Sequence, residues 1–272
     1  MMRINRIKCY TPFALNTIKR SMAYKGAFFI TLLSRLFTVF VIYFLWKAIF
    51  QSSVNSIIRG FSFPEMTAYI TMNFLTALIT GISGSLAMNI AFDVSDGSIA
   101  IQFARPISYR IIKFSESLGA LCGNVFFQII PFSLIFILIG FVKLPTSVNF
   151  MLYLISALLG FLCMFSFGFF FGLFSFYTTY FFGFNMAMAV ILQFFSGSLI
   201  PLTFFPEYLE RIFRLFPFAS MNYTPIMIYL GKLSGKEVVY ALILQIIWIL
   251  LFYLAGKFVW ASAIKRLTIL GG

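Results

Sequence analysis

The chain has 272 residues, 61% of them hydrophobic and only 10% charged, far below the ~25% charged of ordinary soluble domains. One integral membrane domain accounts for that length and composition, with no room for a soluble catalytic domain. The net charge of +13 would suggest nucleic acid in a soluble protein. Here the basic residues flank apolar spans, so anionic lipid headgroups explain them and nucleic acid is excluded as a partner.

Cys9, Cys122 and Cys163 are far apart and form neither a disulfide framework nor a metal spacing. Histidine, the commonest metal ligand and general base, is absent. The 39 Phe residues read as lipid-facing and core filling rather than as an aromatic drug cavity. The first apolar stretch is too long for a signal peptide and lacks a small-residue cleavage site.

In chain order, residues 1–25 carry Arg3, Arg6, Lys8, Lys19, Arg20 and Lys25 and no acid. Thr11-Pro12 suits a cap and first turn, and Ala14, Leu15, Ile18 and Met22 recur at helical spacing. This predicts an interfacial amphipathic helix, with a mobile basic tail as the alternative. The first span, 26–46, is interrupted by Arg35, roughly 15 Å along the helix from Lys25 at ~1.5 Å per residue. An intramembrane Arg is costly, so it either snorkels or faces other helices or a wet cavity. Trp46 and Lys47 mark the far interface. An outer loop holds Arg59 and Gly60, and the second span, 66–92, contains the small residues Gly81, Gly84 and Ser85.

A short polar island follows, 93–112. Asp93 or Ser95 can cap a helix start, and Asp96 suits a first turn, where the helix dipole favours a negative charge. Pro106 disfavours helical geometry at Arg105 and closes the segment. The island reads as a short helix beneath the membrane that offers Ile99 and Phe103, four residues apart, to a partner. A solvated connector is the alternative. The third span is 118–142, with a kink expected at Pro131.

From Leu144 to Pro206 there are 63 residues without a charge, about 95 Å as a single helix. The run must fold back, best at Tyr177-Thr178-Thr179-Tyr180, leaving spans near 150–175 and 184–203. Three crossings would also fit by length, so parity decides. With two, the last span, 238–256, returns Lys257, Lys265 and Arg266 to the side of the basic N-terminus. Twelve Lys and Arg then lie inside and seven outside: Lys47, Arg59, Lys143, Arg211, Arg214, Lys232 and Lys236. That bias orients both termini inward.

The outer segment 206–231 has its own pattern. Leu209, Ile212, Phe213 and Phe216 form a helical stripe, and Glu207–Arg211 and Glu210–Arg214 pair at i, i+4 with the acid first. Pro206 suits the start of this helix and Pro217 follows its end; Thr224-Pro225 and Gly231 bracket a second short helix. The pair forms an amphipathic lid or a re-entrant hairpin.

No acid lies deep in a span, which argues against a proton- or sodium-driven transporter. There is no Walker A sequence, since the 231–236 run has the wrong spacing and context, and no nucleophile with a base is visible. The chain therefore reads as a non-enzyme, and an exporter reading requires an ATPase on another chain. An ATP-independent scaffold or sensor subunit is the alternative.

The layout resembles the permease subunit of an ABC transporter of the type-2 exporter class, over nearly all of the chain. It is similar to a bacterial six-span permease family that carries a Gly-x-Ile…Arg-Pro-Ile/Val loop, here Gly97, Ile99, Arg105, Pro106 and Ile107. The same family shows a Ser-Gly-x-Leu-Ile-Pro run before a Phe-Phe-Pro turn, here Ser196, Gly197, Leu199, Ile200 and Pro201, then Phe204-Phe205-Pro206. The Trp46-Lys47-Ala48-Ile49-Phe50 end of span one also fits. That family commonly has a basic residue before the loop Gly, where this chain has Asp96.

The resemblance implies an all-α polytopic fold of six transmembrane helices in a bacterial plasma membrane, with both termini cytoplasmic. It implies pairing with a second permease, identical or not, and with cytoplasmic ATPases that hold ATP and Mg2+; this chain binds no cofactor or metal itself. Asp93, Asp96, Gly97, Ile99, Phe103, Arg105 and Pro106 would then couple to the ATPase. Gly197, Pro201, Pro206, Leu209, Ile212, Phe213 and Phe216 would form an outer gate. The cargo would be a hydrophobic or amphipathic compound.

Overall fold

The computed structural model describes residues 10–23, 25–103, 107–178 and 180–270. Helix α1 (Thr11–Ala23) leads into α2 (Lys25–Ser52). A two-stranded hairpin, β1 (Ile57–Ile58) with β2 (Phe61–Ser62), turns on Arg59 (φ 49°) and Gly60 (φ 79°). Two consecutive positive φ values suit the twist of a tight hairpin, and Gly60 adopts one without penalty. Helices α3 (Phe63–Gly84), α4 (Leu86–Ser95) and α5 (Ser98–Phe103) follow.

Sequence pattern predicts one helix over 66–92. The chain instead bends at Ser85, amid Gly81 and Gly84, and then continues to Ser95. Small residues with poor helix propensity are a usual cause of such kinks. Asp93 and Ser95 therefore close a helix rather than start one.

The third crossing begins at Tyr109, earlier than 118, and consists of α6 (Tyr109–Asn124), a π-turn (Val125–Ile129) and α7 (Ile130–Leu138). The π-turn is the local answer to Pro131. Proline has no N–H to donate, and the register opens so that the Ile130 N–H reaches Val125 O, five residues back.

The uncharged run folds back at 177–180, between α8 (Ser147–Gly172, extended by a 3-10 turn to Phe176) and α9 (Phe181–Phe195). Thr146 caps α8 through its side chain, which accepts the Asn149 N–H. Helix α9 stops short of the expected 203 because Gly197 takes φ +73°. Where two outer helices are expected there are three: α10 (Glu207–Leu215), α11 (Pro217–Met221) and α12 (Tyr223–Tyr229). The last helix, α13 (Lys236–Leu270), runs well beyond 256. Among the described residues five helical segments are long and apolar enough to cross a membrane, and α9 is a shorter apolar sixth.

Helix α8 is the centre of the bundle, packed against α13, α3, α12 and α4. Glycines permit the approach. A Cβ at Gly160 would stand 2.7 Å from the Met221 carbonyl oxygen, and one at Gly172 would meet Ala87 and Ile90 at about 3 Å. Gln245 of α13 is fully buried and satisfied, donating to Ser156 O (3.0 Å) and Ser220 O (2.7 Å) and accepting from Ser156 Oγ (3.1 Å). In hydrocarbon an unpaired amide costs several kcal/mol, so these bonds fix the register of α8, α11 and α13. Helix α1 lies against α6, where the Ala14 backbone occupies the space a Cβ at Gly119 would need. Leu15, predicted on its apolar face, is 55% exposed instead.

Candidate functional site

At the inner end, the last turn of α4 carries Asp93. Its carboxylate accepts from the Tyr109 hydroxyl (2.6 Å) and pairs with Lys113 Nζ (2.8 Å), both on α6. Ser98 of α5 approaches the other oxygen at 3.4 Å, and Lys113 also reaches Glu116 at 3.3 Å. One carboxylate thus joins three helices. Asp96 and Gly97 (φ +75°) make the turn between α4 and α5. The Ser98 backbone N–H donates to Asp96 Oδ1 (2.9 Å), and this bond, assisted by the Ser98 hydroxyl, holds the Asp96 carboxyl below its usual range.

The cluster also reaches α13. Tyr109 stacks on Trp260 with ring centroids 5.5 Å apart. The Arg110 guanidinium lies 4.0 Å over Tyr253 and 4.9 Å over Phe169, and donates to Tyr253 O (3.3 Å). Neither Tyr109 nor Lys113 figured among the expected coupling residues. The i, i+3 charges Lys113 and Glu116 and the aromatic Tyr109 stand in the sequence, but which carboxylate they meet does not.

The expectation that Ile99 is offered to a partner is corrected. Ile99 is fully buried, packed in a cluster with Leu86, Ile90, Tyr109, Phe165, Phe169 and Leu173. An apolar side chain on a six-residue helix gains more by closing the seam between α4 and α8 than by facing water. Among the described side chains of α5, Ala100 and Ile101 are exposed, Ile101 at 62%. The Phe103 side chain, Arg105 and Pro106 lie outside the described residues. A polar cleft of about 600 Å3 opens beside α5, lined by Asn16, Thr17, Asn89, Asp93, Lys113 and Glu116.

At the outer end, Gly197 is held by Tyr69, whose hydroxyl donates to its carbonyl at 2.7 Å. Its positive φ and the closeness of Tyr69 and Tyr223, both within about 3 Å of where a Cβ would sit, require glycine. Asn73 donates to Ser198 O (2.8 Å) and accepts from Asn222, so α3, the turn after α9 and α12 are tied together. Pro201 is buried beside Leu202, whereas Pro206 is exposed at the start of α10.

The stripe of α10 divides. Phe213 is buried among Phe195, Phe205 and Phe216, and Leu209 is partly buried against the same core. Ile212, expected in the buried stripe, is 47% exposed. The two ion pairs also differ. Glu207–Arg211 (3.7 Å) is fully in solvent, while Glu210–Arg214 is half-buried and Arg214 donates on to the Tyr223 hydroxyl (3.3 Å). Burial pushes the Tyr223 hydroxyl up to about 12, so it stays neutral and can accept that bond. Lys232 was counted only as a loop charge. It binds Glu65 (2.9 Å) and Gly60 O (2.7 Å) and so locks the hairpin to the start of α3.

Between these ends, Arg35 lines a cavity of about 490 Å3 with Trp46, Asn73, Gln193 and Ser198.

An all-α bundle of this kind, with long apolar crossings, is a polytopic membrane protein. A family model described as "ABC-2 family transporter protein" matches residues 36–271. The chain therefore belongs to the ABC-2 transporter family and is a permease subunit of an ABC transporter. Curated proteins include none that matches it.

Proposed function

We propose that the chain exports a hydrophobic or amphipathic compound across a bacterial plasma membrane. It works as one of two paired permeases driven by cytoplasmic ATPases, which hold ATP and Mg2+. Both termini face the cytoplasm, as the charge bias favours. Asp93, Asp96, Gly97, Ile99, Phe103, Arg105 and Pro106 form the coupling segment, and the turn from Gly197 to Pro206 with α10 forms the outer gate.

The observation that carries the reading is the Asp93 junction. A short helix that only rested on the bundle would slip under load. Here α5 is joined through Asp93 and Ile99 to α4, α6 and α8, so force applied at Ala100 and Ile101 passes into the crossings. Ile99 is then the inward anchor, and Ile101 with the polar cleft is the face presented to the ATPase. ATP-driven closure of the ATPases would rock these helices as a unit.

The test is purification of the native complex from membranes. An ATPase should copurify with the wild-type chain and be lost on Ile101→Asp, while inside-out vesicles should accumulate cargo on adding ATP. A complex that contains no ATPase would overturn the reading.

A further inference from the structure

Arg35 stands near the middle of α2, roughly 15 Å from Lys25 and 18 Å from Lys47 at ~1.5 Å per residue. A guanidinium there is costly unless something compensates it. Among the described residues no carboxylate pairs with it, and Glu116, which lies within α6, is taken by Lys113.

Arg35, Val39, Ile42 and Trp46 recur at i, i+4, i+7 and i+11 and line one cavity of about 490 Å3. The cavity extends roughly 16 Å along the helix from a cationic end to an apolar one. Opposite, α3 contributes Met66, Ile70, Phe74 and Gly81. Most polar groups in the wall are already engaged: Tyr69, Asn73 and Ser198 are held by the Gly197 turn and its neighbours, and Thr38 bonds Ser34 O. The exposed Gln193 lines the same cavity and offers a further amide donor.

The geometry points to a binding site for an amphiphilic anion, a compound with one carboxylate, sulfate or phosphate and an apolar body. Its acid would lie on Arg35 in a charge-assisted pair, and its body would extend toward Trp46. This names the cargo class and rests on the permease reading above. The cavity runs from Arg35 toward the far interface at Trp46 and Lys47, a path across the membrane rather than a headgroup position, which favours a transported molecule as the occupant.

The test measures binding without ATP, on the purified permease in phosphatidylcholine nanodiscs. The probes are 11-(dansylamino)undecanoate and its uncharged methyl ester, read by dansyl fluorescence. The carboxylate should bind saturably, and the ester about tenfold more weakly or worse. Arg35→Gln should weaken carboxylate binding by about the same factor and leave ester binding unchanged, with Arg35→Lys intermediate. A Cβ at Gly81 meets nothing within 4 Å, so Gly81→Leu should fold, fill the cavity and weaken both probes, which keeps the test alive if Arg35→Gln is unstable.

Equal binding of acid and ester, or binding indifferent to all three substitutions, would overturn the site. Displacement of the probe by phosphatidylglycerol at matching affinity would make it a resident lipid site and overturn the cargo assignment. Loss of a permease dimer in Arg35→Gln with probe binding intact would assign Arg35 to a subunit contact, and would also overturn it. Copurification of the ATPase is scored on the same preparations, so a failed anion site leaves the permease reading standing.

Discussion

Lys113 Nζ lies 2.8 Å from the Asp93 carboxylate, both side chains largely withdrawn from solvent at the inner end of the bundle. Losing one partner leaves the other charge uncompensated, whereas replacing both by apolar groups is often tolerated. Lys113→Met should therefore lower stability by about 3 kcal/mol, at the low end of the usual cost because Asp93 keeps its Tyr109 bond. The double variant Asp93→Leu with Lys113→Met should recover much of that loss in thermal unfolding yet fail in transport, because Ser98 and Tyr109 lose their shared acceptor.

The neighbouring isoleucines of α5 separate fold from docking. Ile99→Asp places a carboxylate in a closed apolar cluster and should cost several kcal/mol, seen as loss of monodisperse protein after extraction. Ile101→Asp is on the surface and should shift unfolding by less than about 0.5 kcal/mol. Equal damage from both would mean that α5 is not seated as described.

Gly197→Ala should cost about 1–3 kcal/mol through its left-handed backbone alone, and more through contact with Tyr69 and Tyr223. Tyr69→Phe removes only one hydrogen bond and should cost about 1 kcal/mol. Thermal unfolding of the two variants in the same detergent gives the ranking, and a reversal would show that the turn is not held by its backbone geometry.

On α10, Phe213→Ala should be severe, about 3–5 kcal/mol, because it empties the aromatic cluster around Phe195 and Phe205. Ile212→Asn, half exposed, should be mild by comparison. Glu210→Gln should cost more than Glu207→Gln, whose fully exposed pair contributes at most about 1 kcal/mol. Unfolding midpoints of the four single variants decide the order.

Much of this protein was legible in the chain itself. Long uncharged runs can only be helices in a bilayer, because hydrocarbon offers no partner for an open backbone group. The turn at 177–180 and the amphipathic α10 with both of its ion pairs follow from local pattern, whereas the turns at Gly97 and Gly197 fall where that pattern runs helix straight through. What local pattern could not decide was partnership and direction. A hydrophobic residue on a short helix satisfies the same periodicity whether it faces a neighbour or a partner, and Ile99 turned inward while Ile101 did not.

The bonds of Asp93 to Lys113, Tyr69 to Gly197 and Gln245 to Ser156 join residues whose separation along the chain carries no periodic signal. Tertiary packing chose them, because each buried polar group must find a partner wherever the fold brings one within reach. The end of α9 likewise reflects a glycine backbone angle, and the π-turn before Pro131 a missing donor. In both places local chemistry demanded an irregularity, and only the assembled bundle set its form.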